Sequence, residues 1–193
     1  TITVVNDSRS KVYGTTLTNA DYTGSITGVQ AGDNITVTRA STGDVATATV
    51  AGSTYPIVGT LVDPDGRLAN YTVSDPDGAL TVTQASLTIT ANNQINCNGD
   101  AFVFAGTEFT TSPLISGDAV TVVTLTSNGS PSAASPGTYN IVPSNATGTG
   151  LGNYNINYVN GTLTVNARPT STISATTTTI CNGSGTSLSI TFT

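Results

Sequence analysis

Apolar and hydroxyl-bearing residues alternate along most of the chain, as in Asn34-Ile35-Thr36-Val37-Thr38, Leu80-Thr81-Val82-Thr83 and Leu87-Thr88-Ile89-Thr90. A period of two sends successive side chains to opposite faces of a strand, so each run predicts one buried and one wet face. The expected strands are Ile2 to Val5, Thr23 to Thr27, Asn34 to Arg39, Val45 to Val50, Tyr55 to Val62, Tyr71 to Ser74 and Leu80 to Thr83. They are short and sit between Gly, Asp and Asn turns, which predicts an all-β chain.

Composition strengthens this reading. Thr fills 39 of 193 positions and Ser 19, while helix formers are scarce: there is no Met, and Lys11 and Glu108 are the single examples of their kind. β-branched residues and Tyr favour a pleated, half-buried surface. Only 8% of residues are charged, but the 37% that are hydrophobic recur regularly, which predicts a folded chain rather than a disordered tract. A net charge of −6 makes nucleic acid and anionic membrane surfaces poor partners through repulsion. No apolar run approaches the roughly 20 residues needed to cross a bilayer, and the absence of an initiator Met marks the chain as an expected fragment or mature segment.

The chain repeats itself. Gly32-Asp33-Asn34-Ile35-Thr36-Val37 is matched by Gly117-Asp118-Ala119-Val120-Thr121-Val122, 85 residues later. Tyr55-Pro56-Ile57-Val58 is matched by Tyr139-Asn140-Ile141-Val142, and Asn70-Tyr71 with Gly78-Ala79-Leu80-Thr81-Val82 by Asn153-Tyr154 with Gly161-Thr162-Leu163-Thr164-Val165. Ordered landmarks of this kind place repeat one at residues 1–85 and repeat two at 86–167, with 168–193 as the start of a third domain after Arg168-Pro169. Barely three residues, Gln84-Ala85-Ser86, join the last strand of one repeat to the first of the next. A connector this short lacks the residues of a random-coil hinge, so a semi-rigid rod of beads is expected.

These landmarks resemble the MBG-type repeat of large bacterial surface proteins, common in gliding and environmental Bacteroidota. The matching residues are Ser10-Lys11-Val12-Tyr13-Gly14 (a K-x-Y-G element), Gly32-Asp33, Tyr55-Pro56-Ile57-Val58, Asn70-Tyr71-Thr72-Val73 and Gly78-Ala79-Leu80-Thr81-Val82. Repeat two departs from the first element, reading Asn96-Cys97-Asn98-Gly99-Asp100. The resemblance implies a non-catalytic stalk of a cell-surface adhesin or filament, extracellular, serving surface attachment or gliding and exported by type IX secretion. The alternative is a structural fibre subunit or spacer. The expected fold is a tandem β-sandwich, immunoglobulin-like or β-grasp-like with a short helical turn around Thr27 to Asp33. From Arg168 onward the chain resembles the opening of an immunoglobulin-like or PKD-like domain.

Chemistry-bearing groups are few. Without His, neither a Ser-His-acid triad nor a Cys-His pair can be assembled, and no cofactor is expected. Asp63-Pro64-Asp65-Gly66 and Asp75-Pro76-Asp77-Gly78 offer Asp63, Asp65, Asp75 and Asp77 as calcium candidates, since paired carboxylates supply hard oxygen ligands. Type I turns demand the same residues, and repeat two replaces them with Pro143-Ser144-Asn145-Ala146 and Tyr158-Val159-Asn160-Gly161. Cys97 and Cys181 each precede Asn-Gly at similar points of successive beads, too far apart for a mutual disulfide; Cys181 is expected to pair beyond the chain, with Cys97 free or paired across a filament. Tyr55, Tyr71, Tyr139, Tyr154, Phe102, Phe104 and Phe109 read as core residues before a sugar-stacking platform, and the Thr-x-Thr runs as an ordinary outward face before an ice-binding array. Expected partners are neighbouring repeats, a polysaccharide or abiotic surface, and other copies of the chain.

Overall fold

The structure, a computed structural model, describes residues 1–115 and 117–169, and two further strands at 171–174 and 189–192. Repeat one contributes β1 (Ile2–Asn6), β2 (Arg9–Val12), β3 (Gly24–Thr27), β4 (Thr36–Ser41), β5 (Tyr55–Val62), β6 (Val73–Ser74) and β7 (Gly78–Thr83). Repeat two follows with β8 (Ala85–Ala91), β9 (Gln94–Cys97), β10 (Phe109–Thr111), β11 (Ala119–Thr126), β12 (Gly137–Thr149), β13 (Tyr154–Val159) and β14 (Gly161–Asn166). Beyond them β15 (Ser171–Ser174) and β16 (Ser189–Phe192) form an antiparallel pair, while Cys181 lies outside the described residues.

Each repeat folds into two sheets with one topology. Repeat one has the orders β3-β1-β6 and β2-β7-β5-β4; repeat two has β10-β8-β13 and β9-β14-β12-β11. The outer pairs β1 with β6 and β2 with β7 run parallel, as do their counterparts β8 with β13 and β14 with β9. Alternation sets the burial: Ile2, Val4 and Asn6 are buried in β1 while Thr3 and Val5 face water. Ile2 and Val4 pack with Ile35, just ahead of β4, and with Val37 and Leu61 of the facing sheet, and Leu17, Tyr22, Ile57 and Leu80 form a second cluster. The chain is all-β, and two sheets closed over apolar clusters make each repeat a β-sandwich.

Among the described residues no sheet mixes strands of the two repeats, because the ladder changes at Gln84, between β7 and β8. Apolar packing does not stop there. Tyr13, Ala48 and Val82 of repeat one belong to one cluster with Leu87, Ile89, Val123, Ile141 and Tyr154 of repeat two.

Two expectations are corrected and one strand is added. Val45 to Val50 forms no strand: it crosses one end of the sandwich as turns, and its carbonyls accept from the Lys11 ammonium, through Val45, and the Gly14 N–H, through Ala46. Arg9–Val12, outside the expected strands, pairs in parallel along the edge of β7. No helical turn occupies 27–33; the short 3-10 turns lie at Asn19–Asp21, Leu68–Asn70 and Leu151–Asn153.

Candidate functional site

A convergence of polar groups lies where the two repeats meet. Pairing of β2 with β7 carries Lys11 to the end of repeat one, and the Tyr13 N–H continues the ladder onto the Thr83 carbonyl at 2.9 Å. Lys11 is buried, and its Nζ donates to the Thr15 and Val45 carbonyls at 2.8 and 2.6 Å, fastening the turn to the 45–50 segment. Burial holds the Lys11 ammonium below its usual pKa, against the opposing pull of the Asp44 charge. Gly14 completes the turn at φ +92°, and its N–H donates to the Ala46 carbonyl at 3.0 Å.

So mounted, Tyr13 points out of its own repeat into the next. Its hydroxyl donates to Asp118 Oδ2 at 2.9 Å, and its ring meets Tyr154 edge-on, with centroids 5.5 Å apart and planes at 81°. Asp118 Oδ2 also accepts the Tyr154 hydroxyl at 2.8 Å, and that hydroxyl in turn accepts the Ile115 N–H at 2.8 Å. Asn153, at the end of the 3-10 turn, accepts the Val50 N–H on Oδ1 at 2.9 Å. From the connector, Gln84 Nε2 donates to the carbonyls of Gly152 at 3.2 Å and Tyr154 at 3.1 Å.

Close approach explains two glycines. A Cβ on Gly14 would lie 2.5 Å from Ile115 Cδ1, and one on Gly150 would lie 1.8 Å from Asp118 Oδ1. Desolvation at the joint, helped by the Asp118 carboxylate, pushes the Tyr13 hydroxyl up to about 12; burial raises Tyr154 as well. A charge-assisted bond between desolvated groups is stronger than one in water, so the joint is a polar lock inside an apolar collar.

Repeat two keeps the scaffold of this turn and changes its side chains. Asn98 stands where Tyr13 stands, its N–H bonded to the Asn166 carbonyl at 2.8 Å, and Gly99 at φ +97° replaces Gly14. Asn96 takes the place of Lys11 and donates to the Asp100 carbonyl at 2.8 Å, as Lys11 does to Thr15. Asn98 Nδ2 turns back to the Ala134 carbonyl at 2.7 Å instead of reaching outward.

The calcium candidates are already engaged or apart. Asp63 Oδ2 accepts the Leu68 N–H at 2.7 Å, and this bond with others from the backbone of its turn holds the carboxyl below the usual range. Asp65 accepts from exposed Asn34 at 2.9 Å. Asp75 accepts Asn6 Nδ2 at 2.8 Å, and Asn6 Oδ1 accepts buried Arg39 Nε at 2.9 Å, which ties the two sheets together. Asp77 is exposed, and among the described residues no three His, Cys, Asp or Glu side chains converge. Cys97 is exposed at the end of β9.

The aromatic residues divide. Tyr154 is buried, Tyr55, Tyr71, Tyr139 and Phe109 are half-buried, and Phe102 and Phe104 pack edge-on at 4.9 Å beside exposed Val103. A shallow groove runs past Tyr139 between Thr126, Asn128 and Asn140. Sequence reasoning singled out Tyr13, Asp118, Asn153 and Tyr154 as landmarks of the repeat without seeing that they meet. The signal for Asp118, Asn153 and Tyr154 was the recurrence of polar residues at fixed offsets, whereas Tyr13 stood out only through the K-x-Y-G element of repeat one.

Residues 1–81 and 87–164 each match the family model described as MBG domain (YGX type). No curated protein matches the chain. Tyr13-Gly14, the pair seated on the joint, lies within the first matched range, and the second contains no Tyr-Gly step.

Proposed function

The chain belongs to the MBG domain family of the YGX type, and from that premise we propose that it is a stalk segment of a large bacterial cell-surface adhesin, projecting a binding region away from the cell. The family is a structural module of extracellular proteins rather than an enzyme family, and among the described residues no helix is long and apolar enough to cross a membrane. One observation carries the reading: the bond from Tyr13 to Asp118, with the Asn153 and Gln84 bonds around it, fixes one sandwich against the next. A stalk must transmit load and resist folding back, and a desolvated lock beside a connector of one residue, Gln84, supports both. The hydroxyl-rich outer strand faces keep such a rod soluble at low charge.

The repeats then space rather than bind, and their partners are neighbouring repeats. Antibodies against the chain should label intact cells of the source organism, and in-frame deletion of the segment should reduce surface attachment while export persists. Labelling confined to lysed cells, or attachment unchanged by the deletion, would refute the reading. Purified chain should not adsorb to polysaccharide or glass above an unrelated acidic β protein; clear adsorption would make these repeats the binding region itself.

A further inference from the structure

Repeat one carries, at the end remote from the joint, the same receiving face that repeat two offers to Tyr13. Tyr71 stands for Tyr154 and Asp33 for Asp118: the Tyr71 hydroxyl donates to Asp33 Oδ2 at 2.5 Å and accepts the Gln30 N–H at 2.9 Å. The corresponding distances in repeat two are 2.8 Å for both bonds. The 3-10 turn Leu68–Asn70 stands for Leu151–Asn153, so Asn70 holds the place of Asn153.

What differs is cover. Tyr154 and Asn153 are 4% and 7% exposed beneath repeat one, whereas Tyr71 is half-buried and Asn70 is exposed. Asp118 Oδ2 accepts two tyrosine hydroxyls, while Asp33 Oδ2 accepts one, and a carboxylate oxygen has capacity for the second. The match departs at three positions: Arg67 caps the 3-10 turn where Gly150 does at φ +73°, Ala69 replaces Gly152, and Gln30 replaces Ile115, which packs on Gly14, although the backbone N–H at that last position makes the same bond.

We propose that the Asp33, Tyr71 and Asn70 face of repeat one is a docking surface for the Tyr-Gly end of another YGX repeat, whose tyrosine hydroxyl takes the open position on Asp33. The occupant carries a tyrosine at the place of Tyr13. The far end of repeat two does not qualify, because it presents Asn98, held back on Ala134. Receiving faces are therefore present on both repeats and the donating tyrosine only on repeat one, so copies of this chain do not chain together end to end through repeat two. The proposal rests on the stalk reading for its place in the organism, but its chemistry is independent of attachment.

The test adds residues 1–85 ahead of the full chain, so that Ala85 precedes Thr1 as it naturally precedes Ser86. With nitrogen-15 label confined to the original chain, the amide signals of Gln30, Asp33, Asn70 and Tyr71 should shift, and Tyr13→Phe in the added copy should return Asp33 and Tyr71 most of the way. Shifts confined to the seam at Thr1 to Thr3, or a pattern indifferent to Tyr13→Phe, would overturn the proposal. An added copy ending in the repeat-two turn, with Asn at the position of Tyr13, should also leave Asp33 unshifted; full shifts with it would equally overturn the tyrosine requirement. Cell attachment enters none of these readouts, so the stalk reading can fail while the docking surface stands, and the reverse.

Discussion

Removing the Tyr13 hydroxyl is the sharpest perturbation of the joint. In Tyr13→Phe the ring still packs on Tyr154, and the change is the loss of one donor at 2.9 Å from Asp118. A hydrogen bond to a charged acceptor contributes about 1.5–3 kcal/mol. Asp118 keeps the Tyr154 hydroxyl at 2.8 Å, so the lower end applies and the expected cost is about 1.5 kcal/mol, roughly tenfold in the folded-to-unfolded ratio. With a urea slope of about 2 kcal/mol per molar, the midpoint should fall by roughly 0.7 M. Because Trp is absent, tyrosine fluorescence and far-ultraviolet circular dichroism are the probes. A double-mutant cycle with Asp118→Asn isolates the pair: the double variant should cost about 1 kcal/mol less than the sum of the singles. A coupling within about 0.3 kcal/mol of zero would show that the bond does not hold the repeats together. Tyr22→Phe is the control, since its hydroxyl serves Asp44 within repeat one and should show no coupling to Asp118.

Other perturbations follow from the same geometry. The folded Tyr13 keeps its proton up to about 12 while the unfolded chain releases it near 10; the unfolded state then binds fewer protons, so stability is intact below about pH 10 and falls as pH rises toward 12. Urea midpoints across that range should fall less steeply in Tyr13→Phe than in the parent. Gly14→Ala forces a Cβ to 2.5 Å from Ile115 at a positive φ and should cost about 1–3 kcal/mol, with Ile115→Val recovering part of it in thermal melts. Lys11→Met leaves the Thr15 and Val45 carbonyls without their donor and should cost about 2 kcal/mol, read by the same melts. Millimolar calcium should leave the melting temperature unchanged, since Asp63 and Asp75 already accept internal donors; a rise of several degrees would restore the calcium reading.

Much of the sandwich was legible because its strands obey a period of two under a single demand, one face in and one face out. Tyr55–Val62 and the opening strand at Ile2 followed directly. Val45 to Val50 alternates just as well, yet its backbone partners are Lys11 and Gly14, which a local pattern cannot reveal. Arg9–Val12 failed in the opposite sense: as an edge strand it needs only the ladder to β7, and only Lys11 in it is buried. The joint was hidden for a further reason. Its central bond spans 105 residues, from a K-x-Y-G turn that reads as a local motif to a Gly-Asp turn that reads as another. The sequence displayed both halves, but joining them required the connector to set repeat one's end against repeat two's start. The departure at Asn98 was equally visible as a substitution, and it acquires meaning only once Tyr13 is known to face outward.

The central claim is that consecutive sandwiches are fixed to one another by this lock. Residual dipolar couplings measured for both repeats of the chain in a weakly aligned medium test it most directly. A shared alignment tensor for residues 2–83 and 85–166, separating into two tensors of unequal magnitude in Tyr13→Ala, is the predicted result. Two unequal tensors already in the parent chain would contradict the account.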